Sequence, residues 1–366
     1  MKLGLIGVGG AGGRIVDAIR ASEKSTGRTL SDGHVLAFDT DREALDALSH
    51  VPSDNRVLVG ETNDEVAGTG VGGDPELGAK AAKEDDHEMH RSFDDLPIEE
   101  LDGIIVAAGI GGGTGAGVGA VLVEQCAEII DGPVYTLVTL PHEEDGEHAA
   151  LTAARSLPSF VRLADNVITF DNNTWIDAIG EGATHDDVND VLTDRILAVF
   201  SLGDFDGTVA EKRVDRTDII RTLSTGGISS IGMATTTIDM GWRRWFRWLP
   251  WVGLPERDAQ SDAMRLKNLV RRAVDSTLSI PCDIASTERA LIVIAGPPEV
   301  ISRKGFESAR YWLEEETNTV EIISGDEPDR RSTTLSAVVL LSNVTDVPRI
   351  EELQERGVEV IRSVAE

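Results

Sequence analysis

The glycine-rich run at residues 108–117 (AGIGGGTGAG) constrains the fold of this chain more than any other feature. Six of its ten residues are glycine, and it lies between a short apolar run, Ile104–Ala107, and an apolar helical pattern. Glycine lets backbone N–H groups approach a phosphate closely, and the N-terminus of a helix attracts an anion. We predict that this loop wraps around a di- or triphosphate, with the Thr114 hydroxyl as an extra donor. The alternative interpretation is close packing of a helix on a sheet.

Two further loops are rich in glycine. Gly7–Gly13 (GVGGAGG) follows the first apolar run and opens a helix, and Gly68–Pro75 (GTGVGGDP) is the third loop. The first loop alone also fits a dinucleotide-binding pattern, but three loops at the ends of parallel strands converge more naturally on one mononucleotide. The sequence contains no P-loop pattern, Gly-x-x-x-x-Gly-Lys-Ser/Thr. An NAD-dependent oxidoreductase is the weaker alternative, because no substrate-domain His or Lys motif accompanies the loops.

The first half of the chain alternates short apolar runs with acidic, alanine-rich helical stretches. This succession of strand, helix and strand predicts a Rossmann-like parallel sheet with helices on both faces, in an α/β domain over residues 1–185. The predicted strands are Leu3–Ile6, Val35–Phe38, Ile104–Ala108, Val134–Leu140 and Val167–Phe170.

Residues 186–202 carry an apolar stripe with helical spacing. The stripe predicts one long connecting helix, with Asp186 and Asp187 at its N-terminus. Residues 203–366 predict a smaller α+β domain. Its predicted elements are strands at Ser230–Ile238, Ala290–Ala295, Thr319–Ile323 and Leu335–Leu341 and a helix at Arg303–Glu316.

The charge of the chain restricts its partners. Acidic residues number 64 against 34 basic ones, for a net charge of −30, and only seven of the basic residues are lysine. Such a field repels phosphate backbones, which argues against nucleic-acid binding. An acidic, lysine-poor surface suits a salt-rich cytoplasm, where salt screens the repulsion. Since no apolar run is long enough to span a bilayer, we expect a cytoplasmic protein.

One segment breaks this acidic character. Residues 240–254 hold four of the six tryptophans and three arginines, with no acidic residue. Trp242–Leu254 predicts either lateral contact with another copy or contact with the inner membrane surface. A loop tucked onto its own domain is the third interpretation. His87 and His90 predict an exposed helix face rather than a zinc site, because no third ligand has suitable spacing.

Several motifs resemble those of one family. Gly111–Gly117 (GGGTGAG) resembles the signature of the tubulin/FtsZ superfamily, in which this loop holds the phosphates of GTP, and Val214–Asp218 (VDRTD) is similar to its synergy loop. The archaeal CetZ branch fits best, through Gly72–Gly78 (GGDPELG), Asp171–Trp175 (DNNTW) and Ile301–Gly305 (ISRKG). CetZ proteins are known from haloarchaea, which agrees with the charge.

The resemblance implies the tubulin/FtsZ fold and a GTP-binding cytoskeletal protein. Such a protein would polymerise head to tail, hydrolyse GTP between subunits with Mg²⁺ present, and act in cell shape or motility. The alternative is a weakly active or inactive GTP-binding regulator that co-assembles with a related filament protein.

The resemblance also implies the roles of individual residues. Asp215 and Asp218 match the acids that reach the γ-phosphate held by the next subunit. Asp145 stands where the family binds ribose. Asn172 and Asn189 match residues that recognise guanine and its sugar, and His185 replaces an aromatic that stacks on the base. The rest of the implied nucleotide site comprises Gly9, Gly10, Ala11, Gly12, Gly13, Arg14, Asp39, Gly72, Gly73, Gly111, Gly112, Gly113, Thr114 and Gly115.

Two departures from the family pattern concern the rate of hydrolysis more than binding. Gly10 stands where CetZ members often carry glutamine, and Arg213 stands where FtsZ has asparagine.

Overall fold

The computed structural model describes residues 1–202, 214–238, 259–329 and 331–365. Arg213 and the Trp242–Leu254 segment lie outside these residues. The strands of the described chain are β1 (Leu3–Val8), β2 (Val35–Asp39), β3 (Arg56–Leu58), β4 (Gly103–Gly109), β5 (Val134–Leu140), β6 (Asn166–Asp171), β7 (Ile228–Thr237), β8 (Arg289–Gly296), β9 (Ile322–Pro328) and β10 (Thr334–Ser342).

The α-helices of the described chain lie mostly between these strands. They are α1 (Gly9–Thr26), α2 (Arg42–Asp46), α3 (Pro75–Glu84), α4 (Asp86–Ser92), α5 (Gly113–Ile129), α6 (Gly146–Leu163), α7 (Asn172–Ile179), α8 (His185–Phe200), α9 (Arg216–Leu223), α10 (Ala259–Asp275), α11 (Arg303–Thr317) and α12 (Pro348–Ala365). None of the helices in these ranges combines the length and the apolar composition needed to cross a bilayer.

The strands form one sheet in the order β3-β2-β1-β4-β5-β6-β7-β10-β8-β9. The first seven run parallel, and β10 is antiparallel to both of its neighbours. Strand β7 joins the two halves: it pairs with β6 only at Ile228 and Ser229, but with β10 along most of its length. The parallel half is the α/β arrangement that the sequence predicts.

Apolar side chains fill both faces of the parallel half. Every residue of β1 and β5 is buried, and two apolar clusters lie on opposite sides of the sheet. One cluster includes residues of α5 and α6, and the other includes residues of α1 and α8. Strands covered on both faces are largely apolar, which explains the nearly continuous apolar runs of the sequence. The carboxyl ends of β1, β4, β5 and β6 meet at the same edge of the sheet.

The helix predicted over residues 186–202 corresponds to α8, which begins one residue earlier, at His185, and ends two residues earlier, at Phe200. Thr184 caps it: the Thr184 hydroxyl accepts the N–H of Asp187 at 3.3 Å, and the Asp187 carboxylate accepts the N–H of Thr184 at 2.8 Å. Hydrogen bonds from its cap hold the Asp187 pKa below its usual value.

The strand predicted at Thr319–Ile323 was placed too early, since β9 covers Ile322–Pro328. Strand β9 lies at the edge of the sheet, where proline and charged residues are tolerated. Its second half, Gly325–Pro328, therefore has the composition of a loop. The three-residue strand β3 was not predicted.

Candidate functional site

A cavity of about 370 Å³ opens at the carboxyl ends of the parallel strands. Val8 of β1, Gly109 of β4 and Thr139 of β5 form part of its wall. This volume is within the range of roughly 300–1,000 Å³ that is typical of small-molecule sites. Thirteen of the residues predicted to bind a ligand line it: Gly9, Gly10, Ala11, Arg14, Gly111, Gly112, Gly113, Thr114, Gly115, Asp145, Asn172, His185 and Asn189.

Two helices begin at this cavity without a side-chain cap. Val8 precedes α1 and Gly112 precedes α5; neither residue has a side-chain atom that could accept a hydrogen bond from its helix, and neither first turn contains an acidic residue. By contrast, the side chains of Asp74, Thr184 and Asp215 cap α3, α8 and α9. The first N–H groups of a helix need acceptors. Helices α1 and α5 thus present donors, and the positive ends of their dipoles, to the same space, which suits an anion such as phosphate.

The glycines at these helix starts have two different roles. A Cβ atom placed on Gly10 or Gly112 would have no neighbour closer than 4.0 Å, so both residues leave space. A Cβ atom on Gly113 or Gly115 would lie only 2.6 Å or 2.2 Å from backbone atoms. Close packing therefore requires Gly113 and Gly115, whereas Gly10 and Gly112 keep the backbone accessible. Helix packing thus explains Gly113 and Gly115, which is a larger part of the 108–117 run than expected from the sequence.

Five predicted residues do not line the cavity: Gly12, Gly13, Asp39, Gly72 and Gly73. Gly12 allows α1 to approach β4, because a Cβ atom there would lie 2.1 Å from the carbonyl oxygen of Ala107. Gly13 is buried with the side chain of Leu48 as its nearest neighbour. Gly72 and Gly73 have positive φ angles of 59° and 85°, in the loop that packs against the start of α5.

Asp39 lies behind the wall, at the end of β2. One carboxylate oxygen, Oδ1, accepts the N–H groups of Thr40 and Asp41 at 2.7 Å and 3.2 Å. Burial raises the Asp39 pKa to about 6, although these hydrogen bonds oppose the rise. The Thr40 hydroxyl lies 2.6 Å from the hydroxyl of Thr114, which lines the cavity. Asp39 thus fixes the turn that contacts the second glycine loop.

Polar side chains of α7 and α8 line a further part of the cavity, which we call its polar end. His185 and Asn189 stand one turn apart on α8, and Asn172 is the first residue of α7. Asn189 is 8% exposed, and neither asparagine amide has a hydrogen-bond partner among the described residues. An amide pairs a donor with an acceptor, which suits the edge of a nucleobase. Asp145 faces His185, with Oδ1 3.9 Å from Nε2.

Arg14 brings a positive charge to the wall. Its Nε lies 3.9 Å from Oδ1 of Asp186, and both side chains are more than half exposed. An exposed ion pair of this length is weak, so the guanidinium can turn toward an anion in the cavity. Across the described ranges, no cluster of three or more His, Cys, Asp or Glu side chains could hold a metal ion.

Thr139 and Pro141 also line the cavity, and no sequence motif identified them. Their signal was their position at the carboxyl end of a predicted parallel strand, where ligands bind in such sheets.

The two predicted catalytic acids lie far from the cavity. Asp215 caps α9: its Oδ1 accepts the N–H of Asp218 at 3.1 Å, and Oδ2 of Asp218 accepts the N–H of Asp215 at 3.2 Å. Between them, Arg216 pairs with Asp102 at 2.5 Å, just before β4 begins. The cavity is at the opposite end of β4, and a seven-residue strand is roughly 20 Å long. The acids, which are exposed or half-exposed, cannot reach the cavity of their own chain.

Known families account for almost the whole sequence. Residues 2–180 match the GTPase domain of the Tubulin/FtsZ family, and residues 179–359 match the C-terminal domain of tubulin-like CetZ proteins. The chain is 44% identical over 368 residues to the tubulin-like protein CetZ3 of Haloferax volcanii, covering 100% of this chain and 93% of that relative. The chain belongs to the CetZ family of tubulin-like proteins. The resemblance seen in the glycine loops is thereby confirmed.

Two solved CetZ structures have the same fold. CetZ1 of Haloferax volcanii, a GDP-bound monomer, superposes with a TM-score of 0.84 at 36% identity, covering 98% of this chain and 99% of CetZ1. CetZ2 of the same organism, a GTPγS-bound protofilament, has a TM-score of 0.86 at 33% identity, with 100% of both chains covered. The predicted tubulin/FtsZ fold is confirmed, and the CetZ chain described here belongs to a GTP-binding cytoskeletal family.

Proposed function

We propose that this CetZ protein binds a guanine nucleotide in the cavity, polymerises head to tail, and hydrolyses GTP between subunits. The proposal depends most on one observation: the predicted phosphate-binding helix starts and the predicted catalytic acids lie at opposite ends of the same strand. The uncapped starts of α1 and α5 lie at one end of β4, and the exposed pair Asp215 and Asp218 lies at the other. Stacking copies along this direction brings the acids of one copy to the cavity of the next.

The two ends of the cavity suit the two ends of a nucleotide. The N–H groups at Gly9–Ala11 and Gly111–Gly115 would hold the phosphates, with Gly12 and Gly13 allowing α1 to pack behind them and Arg14 neutralising charge. The amides of Asn172 and Asn189 would bind guanine and its sugar. Asp145 would bind the ribose and His185 would stack on the base, as the family resemblance implies. Asp39, Gly72 and Gly73 were predicted to bind the nucleotide; because they do not line the cavity, we propose that they support the phosphate loops from behind.

Relatives support this assignment. The solved CetZ1 structure contains GDP, and the CetZ2 structure is a protofilament with bound GTPγS. Both cover nearly the whole of this chain at more than 30% identity. In this proposal, residues 1–185 bind the nucleotide, residues 186–202 connect, and residues 203–366 supply the acids and the contacts for polymerisation.

Hydrolysis requires positioned phosphates, neutralised charge and an oriented water molecule. The donors of α1 and α5 would position the phosphates, and Asp215 or Asp218 of the next copy would orient the water. If Mg²⁺ is bound with the nucleotide, it would supply positive charge that offsets the charge of the phosphates. Because the described residues offer no cluster of metal ligands, we expect most of its remaining ligands to be water.

The test is GTP turnover per molecule across protein concentrations, in high KCl, with a mixture of two variants. D218N keeps the cavity and loses an acid, while N172A/N189A keeps the acids and loses base contacts. We expect each variant alone to be nearly inactive and the mixture to regain a substantial part of wild-type turnover. Wild-type turnover per molecule that is independent of concentration, or a mixture as inactive as its components, would contradict the shared site.

The same measurement separates two cellular roles. An active GTPase suits a filament that acts in cell shape or motility. Wild-type protein that binds GTP, joins filaments and turns over little at any concentration is instead a regulator that co-assembles with a more active relative. Two residues support a regulator of low activity. Gly10 offers no side chain to the phosphates, and His185 would stack on the base more weakly than a larger aromatic ring.

A further inference from the structure

The last helix of the described chain places a buried arginine behind the cavity wall. Arg349 of α12 is 7% exposed. Its Nε donates to Oδ1 of Asp171 at 3.2 Å, and its Nη2 donates to the carbonyl oxygen of Pro141 at 3.1 Å. Its Nη1 donates to Glu352 at 2.9 Å. The planar guanidinium fork reaches these partners at the same time, which a lysine ammonium group cannot do with fixed geometry.

Both of the buried partners belong to the ends of strands that form the cavity wall. Pro141 lines the cavity directly, just after β5. Asp171 ends β6 and caps α7, because its Oδ2 accepts the N–H and the hydroxyl of Thr174 at 3.1 Å and 2.5 Å. Asn172, the first residue of that helix, lines the cavity with its amide unpartnered within the described chain. Arg349 therefore connects the two strand ends that present Pro141 and Asn172.

A second arginine of α12 contacts the same region from the surface. Arg356 pairs with Glu143 at 3.1 Å, and the N–H of Glu143 donates to Asn173 at 3.3 Å. The Arg356 side chain is 40% exposed, so water screens its ion pairs. The Arg349 pair with Asp171 is shielded from water and loses far more when one partner is removed. Arg356 shares Glu352 with Arg349 but contacts neither Asp171 nor Pro141, so its replacement is a control for the loss of the surface ion pairs alone.

We infer that Arg349 is a positioning residue for base recognition: it holds Asn172 at the distance from Pro141 at which the amide meets the base. The inference rests on the proposed function. The Arg349 side chain donates hydrogen bonds to Asp171, to Pro141 and to Glu352 of its own helix, and none to α1 or α5, where the phosphates would bind. Its effect should therefore depend on Asn172, which directly follows its partner Asp171.

The experiment measures GDP affinity for R349K, N172A, the double variant R349K/N172A and the control R356Q. We expect R349K to bind GDP about tenfold more weakly, and R356Q to stay within twofold of the wild type. In the N172A background, we expect R349K to change affinity by less than twofold, because the contact that Arg349 positions is already lost. A purely structural role would give the same loss in both backgrounds, and that result would overturn the inference. Unchanged affinity of R349K in the wild-type background would also overturn it.

A second variant, in which two uncharged side chains replace the buried ion pair, tests the inference if R349K does not fold. D171N/R349Q leaves no unpaired buried charge, and the amide oxygen introduced at position 171 can still cap α7. We expect this variant to fold and to lose about tenfold in GDP affinity, since a glutamine side chain at position 349 cannot bridge position 171 and Pro141 together; wild-type affinity would overturn the inference. The wild type separates the two proposals. If it fails to bind GDP, the proposed function fails and this inference with it; if it binds but the variants match it, only this inference fails.

Discussion

Arg216 and Asp102 meet 2.5 Å apart at the end of β4 that lies farthest from the cavity. A basic residue at the start of a helix opposes the helix dipole, and the carboxylate of Asp102 offsets this cost. The pair attaches α9 to the amino-terminal end of the parallel sheet. Together with the buried side chains of Ile219 and Leu223, it keeps Asp215 and Asp218 on an outward-facing surface, where a second copy can meet them.

Replacing Asp218 should stop turnover and spare binding. We expect D218N to hydrolyse GTP at least a hundredfold more slowly, because positioned acids and bases typically contribute factors of roughly 10²–10⁴. Its nucleotide affinity should stay within twofold of the wild type, since Asp218 lies away from the cavity. The asparagine amide oxygen at this position can still accept the N–H of Asp215, so the unfolding free energy should change by less than about 1 kcal/mol. Phosphate release measured beside E76Q, an exposed first-turn acid of α3, checks this; equal rates for the two variants would contradict it.

Two glycines of α1 should respond differently to alanine. In G12A the new Cβ atom would overlap the carbonyl oxygen of Ala107, so we expect a loss of roughly 3 kcal/mol or more in unfolding free energy. In G10A the Cβ atom enters open space, and alanine is a better helix former by about 1 kcal/mol. G10A should therefore be at least as stable as the wild type. Denaturant unfolding at fixed KCl compares them, and equal midpoints for the two variants would show that α1 does not pack as described.

Asp39 should make stability depend on pH. Its pKa is raised from 3.8 to about 6 by burial, so the folded chain holds a proton that the unfolded chain releases. The resulting stabilisation is complete below about pH 4 and is lost as the pH rises through about 6. At about 1.36 kcal/mol per pKa unit, it amounts to about 3 kcal/mol at most. We expect D39N to lack this component, so that its stability relative to the wild type increases between pH 4.5 and 7. Parallel pH profiles of the two melting temperatures would contradict the assignment.

His185 should control affinity through stacking. We expect H185A to bind GDP about tenfold more weakly and H185F to bind it severalfold more tightly, because stacking of an aromatic ring on a base contributes roughly 1–3 kcal/mol. H148A removes an exposed histidine of α6 and is the matched control, with affinity expected within twofold of the wild type. Calorimetry at high KCl decides the order. Equal affinities of H185A and H185F would exclude stacking at this position.

Much of the fold could be predicted because local and long-range preferences agree. The apolar spacing of α8 coincides with a capping box at Thr184 and Asp187, and both signals give the same helix. The central parallel strands are buried almost throughout and largely apolar because helices cover both faces. Strand β9 was placed wrongly because an edge strand needs no such pattern.

The candidate site was predictable in its glycine loops and less so elsewhere. Sequence alone could not separate Gly10, which faces open space, from Gly12, which faces a carbonyl oxygen, since both belong to one motif. Arg349 gave no signal, because its partner Asp171 is 178 residues away and only the packing of α12 joins them. Thr139 belongs to no recognisable sequence motif, so only its place at the end of β5 could have indicated it.

The bare helix starts at Val8 and Gly112 have a practical consequence for anyone who purifies the protein. Both helix starts present backbone N–H donors that no side chain accepts, so an anion bound there stabilises the folded chain. At anion concentrations well above its Kd, the free energy of unfolding rises with the logarithm of the anion concentration. Extensive dialysis would then remove a stabiliser together with the contaminants. A melting curve measured without nucleotide or phosphate would describe the empty chain, whereas a curve measured in phosphate buffer would describe the anion-bound chain.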